Sequence, residues 1–585
     1  MLFDLEYEDD SKEQKKITSL SFIKQLFFGK LDLSKIIPFP RLSLEEKERT
    51  DLFCHKLRQF CESHIDPVAI DRNAKIPAEV IQGLGSLGML GLNVPQSYGG
   101  LGMSLTAYCK ALEVISQRCG STTAFVTAHQ SIGYKAILLY GSLEQKQKWL
   151  PGIAKGEIIA AFALTEPNAG SDANGIETKA IYDHEKNVFY LTGKKQWISN
   201  GSTAQVLTVM AKTEMDTSRG KKQLITAFIV TPDMPGFKVT EAAPEKFGMR
   251  GLENSSLEFD NMEVPAENML GKLGEGLKVA LSVLNYGRIT VGASCAGLSK
   301  ILVDHAFKYA HERYQFHHPL SSFALVKNKL AMMAAFSYAI EAVTYLTAGK
   351  VDAGEKDFML EAAIVKVFST ESLWWMLFET MQVFGGKAMF RDKPYELMMR
   401  DCRPSMIVEG SNDVMRLFIS ISGIRNVGLN FNAFLEALQS PFSSTSTLGA
   451  GLSHMKDLFW PAKVEIYSPL LQQEARMLAR VIRLFGRGVV HLLKRYGNHV
   501  VDKQLDLDRI ATAAIGIYTA AAVVSKLDSD LERVHGKAEL LGRDIETAKF
   551  FCNYALKNAR MHLNALFDPK DKAAEHLSDL LIEDL

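Results

Sequence analysis

The feature that most constrains this chain is a double change in its hydrophobic period. From Leu44 to about Leu150 apolar residues recur at helical spacing: Leu52, Phe53, Leu57 and Phe60, then Ile132, Ala136 and Leu139. From about Ile158 to Leu270 the pattern shortens to the β-rich runs Val188-Phe-Tyr-Leu191, Val206-Leu-Thr-Val-Met210 and Leu224-Ile-Thr-Ala-Phe-Ile-Val230, bounded by Gly, Asn, Pro and Lys. From Gly276 it is helical again, in apolar-faced segments at residues 279–284, 289–298, 330–346 and 362–383. Apolar helix faces must be buried against one another, so these segments predict a four-helix bundle. The order predicts a small β domain between helical ones, an α+β, mostly α, multidomain chain.

At 585 residues the chain is too long for one core. Lys+Arg and Asp+Glu balance at 67 each, which gives no argument for nucleic acid. Seven cysteines stand without a Cys-x-x-Cys, so neither a disulfide framework nor a metal site is expected, and a reducing compartment is. The first ten residues are acidic, unlike a secretory or transit leader; the expectation is a cytoplasmic chain, or one whose leader has been removed. No stretch reads as a membrane span; the nearest, residues 510–525, is Ala-rich and reads as a buried helix.

One carboxylate stands out. In Arg400-Asp-Cys-Arg-Pro-Ser-Met-Ile-Val-Glu409-Gly-Ser-Asn-Asp-Val-Met-Arg416, Glu409 follows an apolar run and directly precedes Gly410. Ser411 is placed to cap a helix through Val414, Leu417 and Phe418. A carboxylate on such a loop can face a pocket, where apolar surroundings raise its pKa and suit it to general-base work near neutral pH. The same spacing also fits an acidic residue that merely meets a helix dipole.

Val408-Glu409-Gly410-Ser411-Asn412-Asp413 resembles the Glu-Gly-Thr/Ser segment of acyl-CoA dehydrogenases. Leu164-Thr-Glu-Pro-Asn-Ala-Gly-Ser-Asp172 resembles the flavin and substrate loop of the same family, in the family's order. The resemblance spans roughly residues 40–425. It implies an FAD enzyme in which Glu409 takes the pro-R α-proton of an acyl-CoA and the β-hydride goes to flavin N5. The Glu409 N–H helps bind the thioester oxygen, and electrons leave to an electron-transfer flavoprotein. Such a reaction needs a stabilised enolate-like charge and an acceptor held over the β-carbon. No Gly-x-Gly-x-x-Gly follows a strand, so a nicotinamide site is not supported.

The resemblance implies boundaries: a tail and apolar segment over 1–40, an N-terminal helical domain over 41–157, a β-barrel-like middle domain over 158–272 and the bundle over 273–428. A Ser/Thr/Gly-rich linker over 429–468 and an extra helical domain over 469–585 follow. That extra domain, with Phe22-Ile-Lys-Gln-Leu-Phe-Phe-Gly-Lys30 and Phe39-Pro40, resembles the very-long-chain branch and its complex I assembly relative. The apolar stretch over 20–28 is expected on the outside of the body, and Leu92 to Gly102 as a structural turn.

By resemblance, Phe162, Leu164 and Thr165 line one side of the isoalloxazine, and Trp197 and Ser199 cover its other edge; a strand tryptophan also fits plain β-domain core. Gly170 and Ser171 match the loop approaching acyl-CoA, where absence of a side chain lets backbone come close. Asn285, Arg288, Val408 and Gly410 fall on the substrate side, although Arg288 equally fits a buried structural partner of a carboxylate. Arg313, Gln315 and Phe316 resemble a segment whose Arg meets the flavin pyrophosphate from a neighbouring subunit, bidentate binding that suits Arg; a solvated helix-end Arg is the alternative. Gln382 and Gly386 match another contact across the interface, and Ser411 and Asp413 further flavin contacts. A site completed by two chains implies a homo-oligomer, a dimer favoured.

Three departures stand out: Lys327 where relatives carry Gln, Ala388 at a Gly position, and Asn168 before Ala169-Gly170. Gly287, and Val408 where some medium-chain relatives have Tyr, suggest a roomier cavity and long-chain substrates. Arg476, Arg480, Arg483 and Arg487 share one helical face, continued toward Lys494 and Arg495, opposite Met477, Leu478, Val481, Ile482 and Phe485. That pattern fits a solvated helix face or a helix lying on anionic lipid, a peripheral attachment to the inner face of a membrane. Rival readings are an acyl-CoA oxidase consuming O₂ and an assembly scaffold.

Overall fold

The computed structural model describes residues 20–217, 220–439 and 464–583. The acidic tail over 1–19 lies outside them, as does the middle of the linker expected over 429–468, residues 440–463; residues 429–439 are helical.

In the N-terminal part, α1 (Phe22–Phe27) precedes α2 (Leu44–His64) and α3 (Leu105–Ser116). Ser43 and Ser104 cap the last two, each side chain accepting the N–H three residues on, from Glu46 and Ala107. The middle domain is an eight-stranded sheet ordered β6 (Phe237–Glu241), β7 (Asn254–Pro265), β3 (Val188–Ser199), β2 (Lys179–Asp183), β4 (Val206–Thr217), β5 (Gly220–Val230) and β8 (Met269–Leu270). β1 (Ala160–Ala163) adds to β4 in parallel, Ala160 opposite Val206. The three β-rich runs of the sequence become β3, β4 and β5.

Then come α4 (Gly276–Glu312), α5 (Ala324–Asp352), α6 (Met359–Phe384) and α7 (Asn412–Gln439). The two segments at 279–284 and 289–298 are one helix of 37 residues, and α7 supplies the fourth bundle member. Asn285-Tyr-Gly-Arg288 does not break α4, because the i→i−4 ladder continues through Gly287. The extra domain comprises α8 (Gln472–Tyr496), α9 (Gln504–Arg533), α10 (Gly542–Asn564) and α11 (Lys570–Glu583).

By length and composition α5 and α9 could each cross a membrane, which the sequence reading missed for α5. Both are core helices here, with 67% and 89% of their apolar windows buried. α9 packs on α5, α7 and α10. A chain of ion pairs crosses the same junction: Lys300 to Glu113 at 2.8 Å and to Glu341 at 2.6 Å, with Lys526 of α9 3.7 Å from Glu341.

Two expectations are corrected. The apolar stretch over 20–28 is interior: Phe22, Ile23, Leu26, Phe27 and Phe28 are buried, Phe27 against Phe485 of α8 at 4.9 Å between ring centroids. The apolar face of α8, with Leu478, Val481, Ile482 and Phe485, is buried in the protein core and Met477 is half-buried, so this face is not free to lie on lipid. Its cationic side remains at the surface.

Candidate active site

A cavity of about 910 Å³ lies between the N-terminal helices, the sheet, α4 and the loop before α7, at the upper end of the range for small-molecule sites. It gathers Phe162, Leu164, Thr165, Gly170, Ser171, Trp197, Ser199, Arg288, Val408, Glu409, Gly410 and Ser411 from segments far apart in sequence.

Glu409 has φ 57° and Gly410 φ 95°, two successive residues in the left-handed region. Such backbone persists in a non-glycine residue only where its surroundings hold it. Arg288 donates from Nε to the Glu409 carbonyl oxygen at 3.2 Å and from NH1 to Asn285 Oδ1 at 2.9 Å. Lys366 donates from Nζ to the Gly410 carbonyl at 2.7 Å and to Asn412 Oδ1 at 2.7 Å. Two buried cations thus hold two consecutive carbonyls. The Oε2 of Glu409 is buried without a hydrogen-bond partner. Burial lifts the Glu409 pKa to about 7 against the opposing charges of Arg288 and Lys366, and lowers that of Lys366 to about 7.

Gly287 faces this carboxyl: a Cβ there would collide with both its oxygens. The space at Gly287 is therefore filled by Glu409 itself. It does not enlarge the cavity as the sequence reading supposed.

On the sheet side, a bulge in the β3–β7 register between Lys195 and Ile198 puts Trp197 at φ 58° and 60% exposed, which rules out a core role for it. Asn254 Nδ2 donates to Ser199 Oγ at 3.0 Å. The preceding residue pair holds the loop across from it: buried Lys195 donates to Glu166 Oε1 at 2.7 Å and to the Leu164 carbonyl at 3.0 Å, and Gln196 N–H to the Thr165 carbonyl at 2.9 Å. Gly170 and Ser171 stand exposed at the cavity rim, with open space beside Gly170.

Asn285 lies behind Arg288 and does not line the cavity; Asp413 is exposed outside it. Arg313, Gln315, Phe316, Gln382 and Gly386 form a second exposed group, where the ends of α4 and α6 meet through Tyr309 and Phe384, ring centroids 4.0 Å apart. Phe316 is 83% exposed, and Met389 and Phe390, shortly after Gly386 in sequence, are exposed as well. Lys327 is exposed at the start of α5, Ala388 is buried, and Asn168 Nδ2 meets Glu177 Oε1 at 3.4 Å. The sequence reading missed Lys366, the Glu166–Lys195 pair and Asn412. A lone lysine within the apolar run 362–383 was the available signal for the first.

An apolar cavity with a buried, unpartnered carboxylate, walled by a helical bundle and bordered by a loop and an exposed tryptophan from a β domain, fits a flavoprotein dehydrogenase of acyl thioesters. The chain belongs to the acyl-CoA dehydrogenase family. The family's N-terminal, middle and C-terminal domains match residues 47–157, 161–262 and 274–423, and the ACAD9/ACADV C-terminal domain matches residues 469–581. The chain is 35% identical over 539 residues to the mitochondrial very long-chain specific acyl-CoA dehydrogenase of Mus musculus, covering 89% of this chain and 80% of that one. It is 33% identical over 585 residues to the probable acyl-CoA dehydrogenase FadE10 of Mycobacterium bovis, covering 96% and 88%. A crystal structure of an acyl-CoA dehydrogenase complexed with FAD from Bacillus anthracis superposes with a TM-score of 0.78 at 27% identity, covering 95% and 94%. The protein is thus an FAD-dependent oxidoreductase of fatty acid β-oxidation, with acyl-CoA as substrate.

Proposed function

We propose that this dehydrogenase acts on long-chain acyl-CoA with Glu409 as its base. The observation that carries the assignment is Glu409, a cavity-lining residue whose buried Oε2 has no hydrogen-bond partner and is free to accept a proton. With the acyl chain seated against α4, Glu409 takes the α-proton and its own N–H donates to the thioester oxygen, on which negative charge builds. FAD, when bound, supplies the acceptor for the β-hydride. Phe162, Leu164 and Thr165 would hold one side of the ring and Trp197 and Ser199 the other; Gly170 and Ser171 let the thioester approach the loop backbone. The proton taken from the α-carbon is held on the Glu409 carboxyl.

Chain length is supported by the cavity wall. α4 lines it with Arg288, Val291, Ser294 and Leu298, so the wall runs about 15 Å beyond Arg288. That is more than a short acyl group needs. The exposed group around Arg313, Phe316, Gln382 and Gly386 supports a homodimer in which each chain completes its partner's flavin site through Arg313. Electron-transfer flavoprotein takes the electrons in this reading. Attachment to an anionic membrane would rest on the exposed cations Arg476, Arg480, Lys494 and Arg495 alone, each adding on the order of 1 kcal/mol near such a surface.

The test is anaerobic titration of the purified yellow protein with palmitoyl-CoA, following flavin absorbance, alongside Glu409→Gln. Bleaching in the wild type and none in the variant supports the assignment; a flavoprotein that no acyl-CoA bleaches overturns it in favour of a scaffold. Bleaching with butyryl-CoA but not palmitoyl-CoA overturns the chain length alone.

A further inference from the structure

A continuous hydrogen-bonded path leads from the extra C-terminal domain to the loop carrying Glu409. On α9, Thr512 Oγ1 accepts from Arg416 NH1 at 2.6 Å, and Asp508 Oδ1 lies 3.4 Å from the same nitrogen. Arg416, on the first turns of α7, donates from NH2 to Glu371 Oε2 at 2.6 Å and from Nε to Glu371 Oε1 at 3.3 Å. Glu371 Oε1 also accepts from Asn412 Nδ2 at 3.2 Å, and Asn412 Oδ1 accepts from Lys366 at 2.7 Å. Lys366 ends the path on the Gly410 carbonyl at 2.7 Å.

Every link is charge-assisted or an amide with its donor and acceptor both used, so displacing one member changes what the next can bond. At the far end stand two successive left-handed residues, of which Glu409, as a non-glycine, persists so only while its surroundings hold it. Arg288, from within the bundle, holds one carbonyl of that pair. The other is held by Lys366, whose partners lead to α9.

We propose that the C-terminal helical domain takes part in the reaction by fixing the Glu409 loop, with Arg416 and Lys366 as positioning residues. The proposal rests on the reading of Glu409 as the base. It gives α9 a role in proton abstraction in addition to any surface the domain offers to other partners. The charged and titratable groups facing Glu409 are Arg288 from α4, Lys366 from α6 and Tyr108 from α3. Lys366 in turn faces Cys295 and Glu371. When Lys366 is held less firmly, its charge stabilises ionised Glu409 less. The acid limb of the rate profile then moves to higher pH.

The test is the double variant Asp508→Asn with Thr512→Val in the full-length flavoprotein, measured as kcat and KM for palmitoyl-CoA across pH, with flavin content and melting temperature. A kcat roughly threefold to tenfold lower is expected, as for a base displaced by a fraction of an ångström. KM should stay within about twofold, the acid limb should sit at higher pH, and Asp508→Glu with Thr512→Ser should recover both. An unchanged kcat and limb overturns the proposal. So does a loss of kcat that tracks melting temperature with the limb unmoved, since that is a structural effect. Lys366→Met, which keeps the apolar stem and removes the charge, should move the limb further the same way; a limb that stays put there also overturns it. Glu409→Gln is run in parallel. Inactive Glu409→Gln with an unaffected double variant defeats the domain's role alone, whereas active Glu409→Gln defeats the base assignment beneath it.

Discussion

Arg288 holds Glu409 by its backbone: Nε donates to the Glu409 carbonyl oxygen at 3.2 Å, while the carboxylate Oε2 stays buried and unpartnered. A direct pairing would have neutralised the carboxylate and pulled its pKa down. Gripping the main chain fixes the loop and leaves burial to dominate, which is why the pKa rises to about 7.

Activity should therefore fall as pH drops through about 7, when Glu409 takes up the proton it needs to be without. Glu409→Gln should lose about 10²- to 10⁴-fold in kcat and retain its flavin. Stability runs the opposite way. Between the ordinary carboxylate range and about 7 the folded state binds a proton at Glu409 that the unfolded chain does not, so this group's contribution weakens as pH rises through that window. Comparing melting temperature against pH for wild type and Glu409→Gln isolates it: the variant's curve should drop less between about 5 and 7.

Gly287→Ala separates catalysis from folding. Within α4 the exchange favours the helix by up to about 1 kcal/mol, but its Cβ meets the Glu409 carboxyl, which must swing into the cavity. Melting temperature should stay within a few degrees while kcat falls by roughly tenfold or more. Equal kcat in variant and wild type would show that the carboxyl works from another rotamer.

Lys195 and Glu166 form a buried pair that carries the Leu164–Thr165 loop. Removing one partner leaves a buried charge unpaired, at a cost of about 3–5 kcal/mol. Lys195→Met should thus lower the melting temperature and yield protein with substoichiometric flavin. Exchanging both together, Lys195→Met with Glu166→Gln, should recover much of the stability, a coupling that a double-mutant cycle reads directly.

The contrast between Glu409 and these residues shows what a sequence displays. Glu409 was singled out by the resemblance of its motif, since its local signal, an apolar run, a carboxylate and a glycine, fits a helix-dipole partner as well. The period changes gave the α–β–α order. Lys195 and Glu166 lie on separate elements and look like surface charges until the loop after β1 is laid against β3, where the Gln196 N–H meets the Thr165 carbonyl. The stretch over 20–28 was read as an external patch because its cover, α8 and α9, is made of residues more than 400 positions away. The cationic stripe of α8 was correctly a helix face, but only tertiary contacts reveal that its apolar side is already taken.

His129 predicts acid lability. It is fully buried, accepts the Ala160 N–H at Nδ1 (3.0 Å) and has Nε2 3.0 Å from the Leu90 carbonyl, so it bridges the N-terminal helices to the strand bearing Phe162. Burial lowers its pKa to about 4. From about 6.5 down to about 4 the unfolded chain binds a proton the folded one refuses, so stability falls with pH across that window. The melting curve of His129→Asn should be flatter there than that of the wild type, and superimposable slopes would remove His129 from the account.

The interior position of the segment after α1 also has a temporal side. The Phe39 N–H is bonded to Ser529 Oγ at 2.8 Å across a separation of 490 residues, and Arg41 pairs with Asp530 at 2.5 Å. At ribosomal speeds of about 5–20 residues per second, the chain that seals this junction emerges on the order of a minute after the chain it seals. Throughout that interval Phe22, Phe27 and Phe28 have no native cover from α8 or α9. Over that interval the cover of these apolar side chains waits on synthesis of the distant helices and not on local folding.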